Sequence, residues 1–250
     1  MSRLTVVASG EGGVGKTTLA ANLAACLAKR GKKVIAVDCD VYLKNLDIVF
    51  GVQNSHIWDI GDVFEGRCKL EDALIKVGES DSLFLLAGPL RAPENPQGLT
   101  DFILKTAKEF LAKGEYDHII LDCPSGAGHG IEEYFIKGSH VIVVATPDVT
   151  SIHDAQGTAA AAYAAGADVS LVVNRIRAKS VEDGTSPDMD EIIDSVGIKL
   201  LGLIPEDGKT SEALNAGKLI TETKRSRSKK SYANIAARTD GEFTELYRFW

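Results

Sequence analysis

Seven short runs of this chain are apolar almost without interruption: LTVVAS (4–9), KKVIAVD (32–38), SLFLLAG (82–88), DHIILDC (117–123), HVIVVAT (140–146), VSLVVNR (169–175) and IKLLGLIP (198–205). A strand wetted on one side alternates polar and apolar residues, whereas a strand covered on both sides does not. Between the runs the spacing of apolar residues predicts helices over 16–30, 99–113, 151–165, 187–196 and 210–217. Strand followed by helix, repeated, predicts a single α/β domain, doubly wound, with a mostly parallel twisted sheet and helices on both faces. No internal repeat or low-complexity linker interrupts the pattern. The connecting segments RAPENPQG, PSGAGHG, AKSVEDGTSP and TETKRSRSKKS read as loops. In such sheets ligands bind outside the carboxyl ends of the strands, so some of these loops are expected to line a site.

The first predicted strand runs into SGEGGVGKTT, which fits G-x-x-x-x-G-K-[ST] at Gly10, Gly15, Lys16 and Thr17 and opens the first predicted helix. Glycines let backbone N–H groups close around phosphate oxygens, and the helix N-terminus adds partial positive charge. Lys16 then reaches the outer phosphates and the Thr17 hydroxyl can ligate Mg²⁺. Gly12, Gly13 and Val14 complete the phosphate cradle. Two later strand ends carry carboxylates: Asp38 and Asp40 close VIAVDCD, and Asp122 closes HIILDC. A divalent ion bridging triphosphate oxygens needs oxygen ligands placed this way, so Thr17, Asp38 and Asp122 are the candidate metal set.

With 250 residues, 44% of them hydrophobic and 25% charged, the chain has the size of one large core. Its start shows no signal-peptide pattern, and no apolar run approaches the ~18 residues of a membrane span, so a cytoplasmic location is expected. A formal charge of −7 makes nucleic acid an unlikely general partner. Cys26, Cys39, Cys68 and Cys123 show no paired spacing, and His56, His118, His129, His140 and His153 show no metal-ligand spacing.

The motifs GEGGVGKTT, VDCDVYLKNLDIVFGV, LDCPSGAG, TPDVTSIHDA, VNRI and GLIPED, in that order over nearly the whole chain, resemble the deviant Walker-A ATPases of the MinD/ParA type, with the MinD branch nearest. The resemblance implies an ATP/ADP-binding, Mg²⁺-dependent switch ATPase of division-site placement. Its ATP-bound form would be a sandwich homodimer that engages MinC- and MinE-like effectors and the inner membrane surface. Lys16 would hold the β and γ phosphates, Thr18 the α-phosphate, and Thr17 the Mg²⁺. Asp40 would orient the attacking water, with Asp38 supporting it. Asn174 and the adjoining Arg175 would meet the adenine, and Pro205, Glu206 and Asp207 would rim its pocket. Ser151 and Asp154 are implied as partner contacts, and Lys44 and Asn45 as switch-loop residues.

One residue departs from the family pattern. Where that pattern has a lysine reaching the partner's phosphates, this chain has Glu11. The reversal implies intact nucleotide binding with a weakened dimer and weakened hydrolysis, unless Glu11 turns to solvent or pairs with a cation. A monomeric, non-hydrolysing ATP-binding regulator, or a ParA-type or flagellar-number-type ATPase, is the alternative. The last residues, EFTELYRFW, place Phe243, Leu246, Tyr247 and Trp250 on one face of a predicted short helix over 243–250. That helix is either a weak membrane-surface element, a docked terminal helix or the start of a longer one. Lys224, Arg225, Arg227, Lys229 and Lys230 are expected to be a solvated basic loop.

Overall fold

A computed structural model describes residues 2–41, 43–55, 57–79, 81–91, 93–126 and 130–248. His56, His129 and Trp250 therefore lie outside the described residues, as does part of the PSGAGHG loop. The elements in order are β1 (Arg3–Ala8), α1 (Lys16–Lys29), β2 (Val34–Asp38), α2 (Leu46–Phe50), α3 (Ile60–Phe64), β3 (Leu74–Lys76), β4 (Leu83–Leu86), α4 (Pro96–Lys113), β5 (His118–Asp122), β6 (His140–Ala145), α5 (Val149–Ala164), β7 (Asp168–Ile176), α6 (Ala178–Glu182), α7 (Met189–Val196), β8 (Lys199–Pro205), α8 (Lys209–Asn215) and α9 (Ser228–Thr239).

All seven apolar runs are strands of one sheet, in the order β3-β4-β2-β5-β1-β6-β7-β8. Every pairing is parallel except that of the short edge strand β3 with β4. The unbroken apolar runs have a direct cause: each face of the sheet has its own core. On one face Val7, Ala36, Ile120, Ile142 and Val172 pack against Leu19, Leu23 and Leu27 of α1 and Tyr232 and Ile235 of α9. On the other, Val6, Ile35, Leu121 and Val143 meet Leu99 and Ile103 of α4, Ile152 and Ala155 of α5, and Ile192 of α7. Polar residues on either face of the central strands would lose water without gaining a partner.

Helix α4 begins three residues before its periodicity does, because Asn95 accepts the Gly98 N–H and Pro96 takes the first turn. Two expectations are corrected. TETKRSRSKKS is not loop throughout, since Ser228 begins α9. The buried face of α9 includes Ser228, Ser231 and Thr239 beside Tyr232 and Ile235, so it carries no apolar stripe to read. The segment 242–248 forms no helix; it runs non-helically back along α9. Among the described residues no helix is long and apolar enough to cross a membrane.

Candidate nucleotide-binding site

Parallel pairing brings the chemistry to one sheet edge. Asp38 at the end of β2 stands in register with Asp122 at the end of β5, and Val7 of β1 is in register with Asp122 from the other side. The loop that follows β1 therefore leaves the sheet beside Asp122 before entering α1.

Gly15, immediately before α1, has φ of +98°, and a Cβ there would lie 2.4 Å from the Asn174 Nδ2. Only glycine satisfies both the left-handed backbone and that approach. Lys16 is 7% exposed and turns back into the loop, donating to Ser9 Oγ at 2.8 Å and to the Glu11 carbonyl at 3.4 Å. Burial pushes its ammonium pKa down, against the opposing pull of Asp122, Cys123, Asp40 and Glu11. A buried ammonium held only by a hydroxyl and a carbonyl is suited to an incoming anion. Ser9, buried immediately after β1, is a contributor that motif spacing does not single out.

Asp122 is buried, and burial followed by the nearby Asp38 charge raises its pKa, while the Thr17 hydroxyl bond and Lys16 oppose the rise. Its Oδ1 is buried with no hydrogen-bond partner among the described residues. Such an orphaned carboxylate oxygen beside a threonine hydroxyl fits a hydrated divalent cation. Asp38 is engaged differently: Oδ1 accepts from the Asp40 N–H at 3.0 Å, and Oδ2 accepts from those of Asn45 and Leu46, both at 3.1 Å. Burial raises its pKa in spite of these donors. The carboxylate thus ties the 40–45 loop and the start of α2 to the sheet. Asp40, half-buried above it, accepts from the Leu43 N–H at 2.8 Å.

The expected base-side residues gather at the ends of β7 and β8. Asn174 is buried, donating through Nδ2 to the Val14 carbonyl at 2.7 Å and accepting the Arg175 N–H at 2.9 Å. Its amide is therefore a staple on the phosphate loop in this structure. Arg175 is exposed and carries φ of +58°, an unusual conformation for a residue with a Cβ. Pro205 ends β8 in register with Ile176, and Glu206 pairs with Arg177 at 2.8 Å. The Asp207 carboxylate accepts from Lys209, Ser226, Arg227 and Ser228, joining this rim to the starts of α8 and α9.

Gly12, Gly13, Gly15, Lys16, Thr17, Thr18, Asp40, Asp122 and Arg175 line one cavity of 490 Å³. Of the remaining expected residues, Gly10 packs against Asp154, whose Cβ would be 2.6 Å from a Cβ at that glycine. Asp154 is therefore a wall behind the loop. Ser151 is buried and accepts the Thr146 N–H at 3.0 Å, which corrects its reading as a surface contact. The Glu11 carboxylate makes no ion pair among the described residues. No cluster of three or more potential metal-binding His, Cys, Asp or Glu occurs among them either.

A family model described as the CobQ/CobB/MinD/ParA nucleotide binding domain matches residues 5–220. The chain belongs to the MinD/ParA family of nucleotide-binding domains. It is 37% identical over 248 residues to the septum site-determining protein MinD of Bacillus subtilis, covering 98% of this chain and 92% of that one. Among solved structures it resembles the MinC:MinD cell division protein complex of Aquifex aeolicus, with a TM-score of 0.90, 33% identity and 99% coverage of both chains. MinD of Pyrococcus horikoshii in complex with Mg-ADP is similar at a TM-score of 0.84 and 29% identity, covering 96% of this chain and 97% of that one. The family assignment covers both the phosphate loop and the Asn174 strand end.

Proposed function

We propose that this protein is a MinD-like switch ATPase of septum-site placement that binds Mg-ATP in the 490 Å³ cavity. The observation that carries the reading is the buried Lys16 ammonium, folded into a glycine loop beside the partnerless Asp122 Oδ1. Bound ATP would offer phosphate oxygens to the Lys16 ammonium, and a divalent cation bound with it would give the Asp122 carboxylate a partner. Thr17 and Asp122 would hold the Mg²⁺, which when bound draws charge from the phosphate oxygens. Asp38 acts one step back, fixing the loop that carries Asp40. Asp40 would orient the attacking water, since its carboxylate lines the cavity and is held by the Leu43 N–H. Gly10, Gly12, Gly13, Val14 and Thr18 would enclose the phosphates. Asn174 would exchange its Val14 bond for the adenine, with Arg175, Pro205, Glu206 and Asp207 around the base. Glu11 would sit at the mouth, where the resemblance places a lysine directed at a second copy.

The similarity to MinD within a MinC:MinD complex supports a MinC-like partner, and family likeness supports a MinE-like one, an ATP-dependent homodimer and a peripheral membrane site. Exposed Leu43 and Ile48 flank the cavity and suit apposition of a second copy. The Glu11 carboxylate, without an ion pair among the described residues, favours a second reading, a monomeric ATP-binding regulator that does not turn over. Lys16→Ala should weaken ATP binding about tenfold to a hundredfold, the range for losing a charged hydrogen bond, measured by fluorescent-nucleotide titration. Asp40→Ala should leave binding within about twofold while abolishing any phosphate release. An unchanged release rate in Asp40→Ala would remove Asp40 from its role.

A further inference from the structure

Each of the two strand-end carboxylates is followed by a cysteine. Cys39 comes after Asp38 at the end of β2, and Cys123 after Asp122 at the end of β5. The ladder continues one residue beyond the strands, because the Cys39 N–H donates to the Asp122 carbonyl at 3.0 Å. In a parallel pair that bond sets Cys39 opposite Cys123, as Asp38 stands opposite Asp122. Side chains alternate along a strand, so both thiols leave the sheet on the face opposite to the two carboxylates. There they join one core with Ile131, Tyr134 and Phe135.

Neighbouring strands lie about 4.8 Å apart, and a disulfide joins Cα atoms separated by about 4.4–6.8 Å. Two cysteines set opposite each other fall inside that range. Both are free thiols, 1% and 3% exposed. Burial first, and then the adjoining Cys123 sulfur, push the Cys39 thiol pKa up. A protonated thiol attacks slowly, so such a pair answers a sustained excess of oxidant. Access comes from above: Cys39 lines a 510 Å³ cavity, Cys123 lines the nucleotide cavity, and Asp40, Leu43 and Ser125 line both. Cys26 belongs to the core on the other face, and Cys68 is only partly buried.

We infer that Cys39 and Cys123 are a reversible disulfide site whose closure locks the start of the loop carrying Asp40. The oxidant is a peroxide. One sulfur attacks a peroxide oxygen and the O–O bond breaks, leaving a sulfenic acid and, from hydrogen peroxide, one water. The second sulfur attacks the sulfenic sulfur, the S–O bond breaks, and a second water leaves with the remaining thiol proton. Asp40 follows Cys39 directly, and the N–H groups of Asp40, Asn45 and Leu46 are bonded to Asp38. Opening of this loop pulls on the end of β2, which the new bond would fasten to the end of β5. The inference touches the proposed function only through the role of Asp40.

The test treats the nucleotide-free full chain with hydrogen peroxide and maps its peptides by mass without reductant. The Cys39 and Cys123 peptides should appear joined, lighter by two hydrogens, and should separate with dithiothreitol. Hydrogen exchange at the Asp40, Asn45 and Leu46 amides should slow in the oxidised chain and recover on reduction. Cys39→Ala should lose both effects, and Cys123→Ala supplies the same comparison if the first variant does not fold. Oxidation of Cys68 with no joined peptide overturns the site. A joined peptide with unchanged exchange overturns the lock, as does slowing that persists in Cys39→Ala. Because no nucleotide is present, failure of the ATPase reading leaves each of these outcomes as it stands.

Discussion

Asp122 and Asp38 sit side by side at the ends of β5 and β2, both buried and both with carboxyl pKa raised chiefly by burial. Their partners separate their roles. Asp38 has three backbone donors, so its charge is spent on loop geometry, whereas Asp122 has one oxygen with no protein partner. Because the folded pKa values lie above the unfolded ones, the folded chain retains protons that the unfolded chain releases. Without metal, these groups therefore contribute stability that declines as pH rises from the ordinary carboxylate range through the raised values. Between about pH 5 and pH 8, the wild-type melting temperature should fall relative to that of Asp122→Asn; parallel curves would contradict the raised value. A divalent cation needs the deprotonated carboxylate, so Mg²⁺-dependent nucleotide binding should strengthen over the same interval.

At the scale of elements, the position of the 205–207 segment depends on how closely α9 lies on β8. A Cβ at Gly202 would fall 2.2 Å from Ile235 Cγ1, and Asp207 then joins the end of β8 to the start of α9. Gly202→Ala should cost about 1–3 kcal/mol by overpacking, read as a lower urea midpoint, and Ile235→Ala in the same chain should recover part of the loss. Strict additivity of the two substitutions would deny the contact. The same region shows what the sequence could and could not reveal. Apolar runs announced β1, β2 and β4 to β8 because a doubly covered strand has no polar side to confuse with a helix. β3 escaped, being only three residues long and lying at the sheet edge. The five-residue helices α2, α3 and α6 are shorter than two turns and leave no period to count. Glycine spacing made the phosphate loop legible, yet Asn174 on Val14 joins residues 160 positions apart, and only the folded chain brings them together.

Over the whole molecule, charge is the feature on which the proposed switch depends. Glu11, Asp38, Asp40 and Asp122 cluster around the phosphate loop of a chain at −7, against the buried Lys16 and the exposed Arg175. The cavity is lined by Lys16 and by the glycines of the phosphate loop, which suits it to one nucleotide. In the proposed dimer, a second copy closing over it would bring Glu11 toward the other chain's triphosphate. At about 4 Å and an effective dielectric of ~20, one unit charge pair is worth roughly 4 kcal/mol. Solvent and cations reduce that figure, but even a third of it changes dimer affinity about tenfold. Phosphoryl transfer relies on positioning and charge, so a weakened dimer should also lower turnover.

The most direct test is molar mass by light scattering with Mg-ATP, in an Asp40→Ala background that suppresses hydrolysis, comparing Glu11 with Glu11→Lys. The Glu11 chain should dimerise weakly, and Glu11→Lys at least about tenfold more tightly. Equal dimerisation of both would contradict it, and would place the charge that closes the dimer on some group other than residue 11.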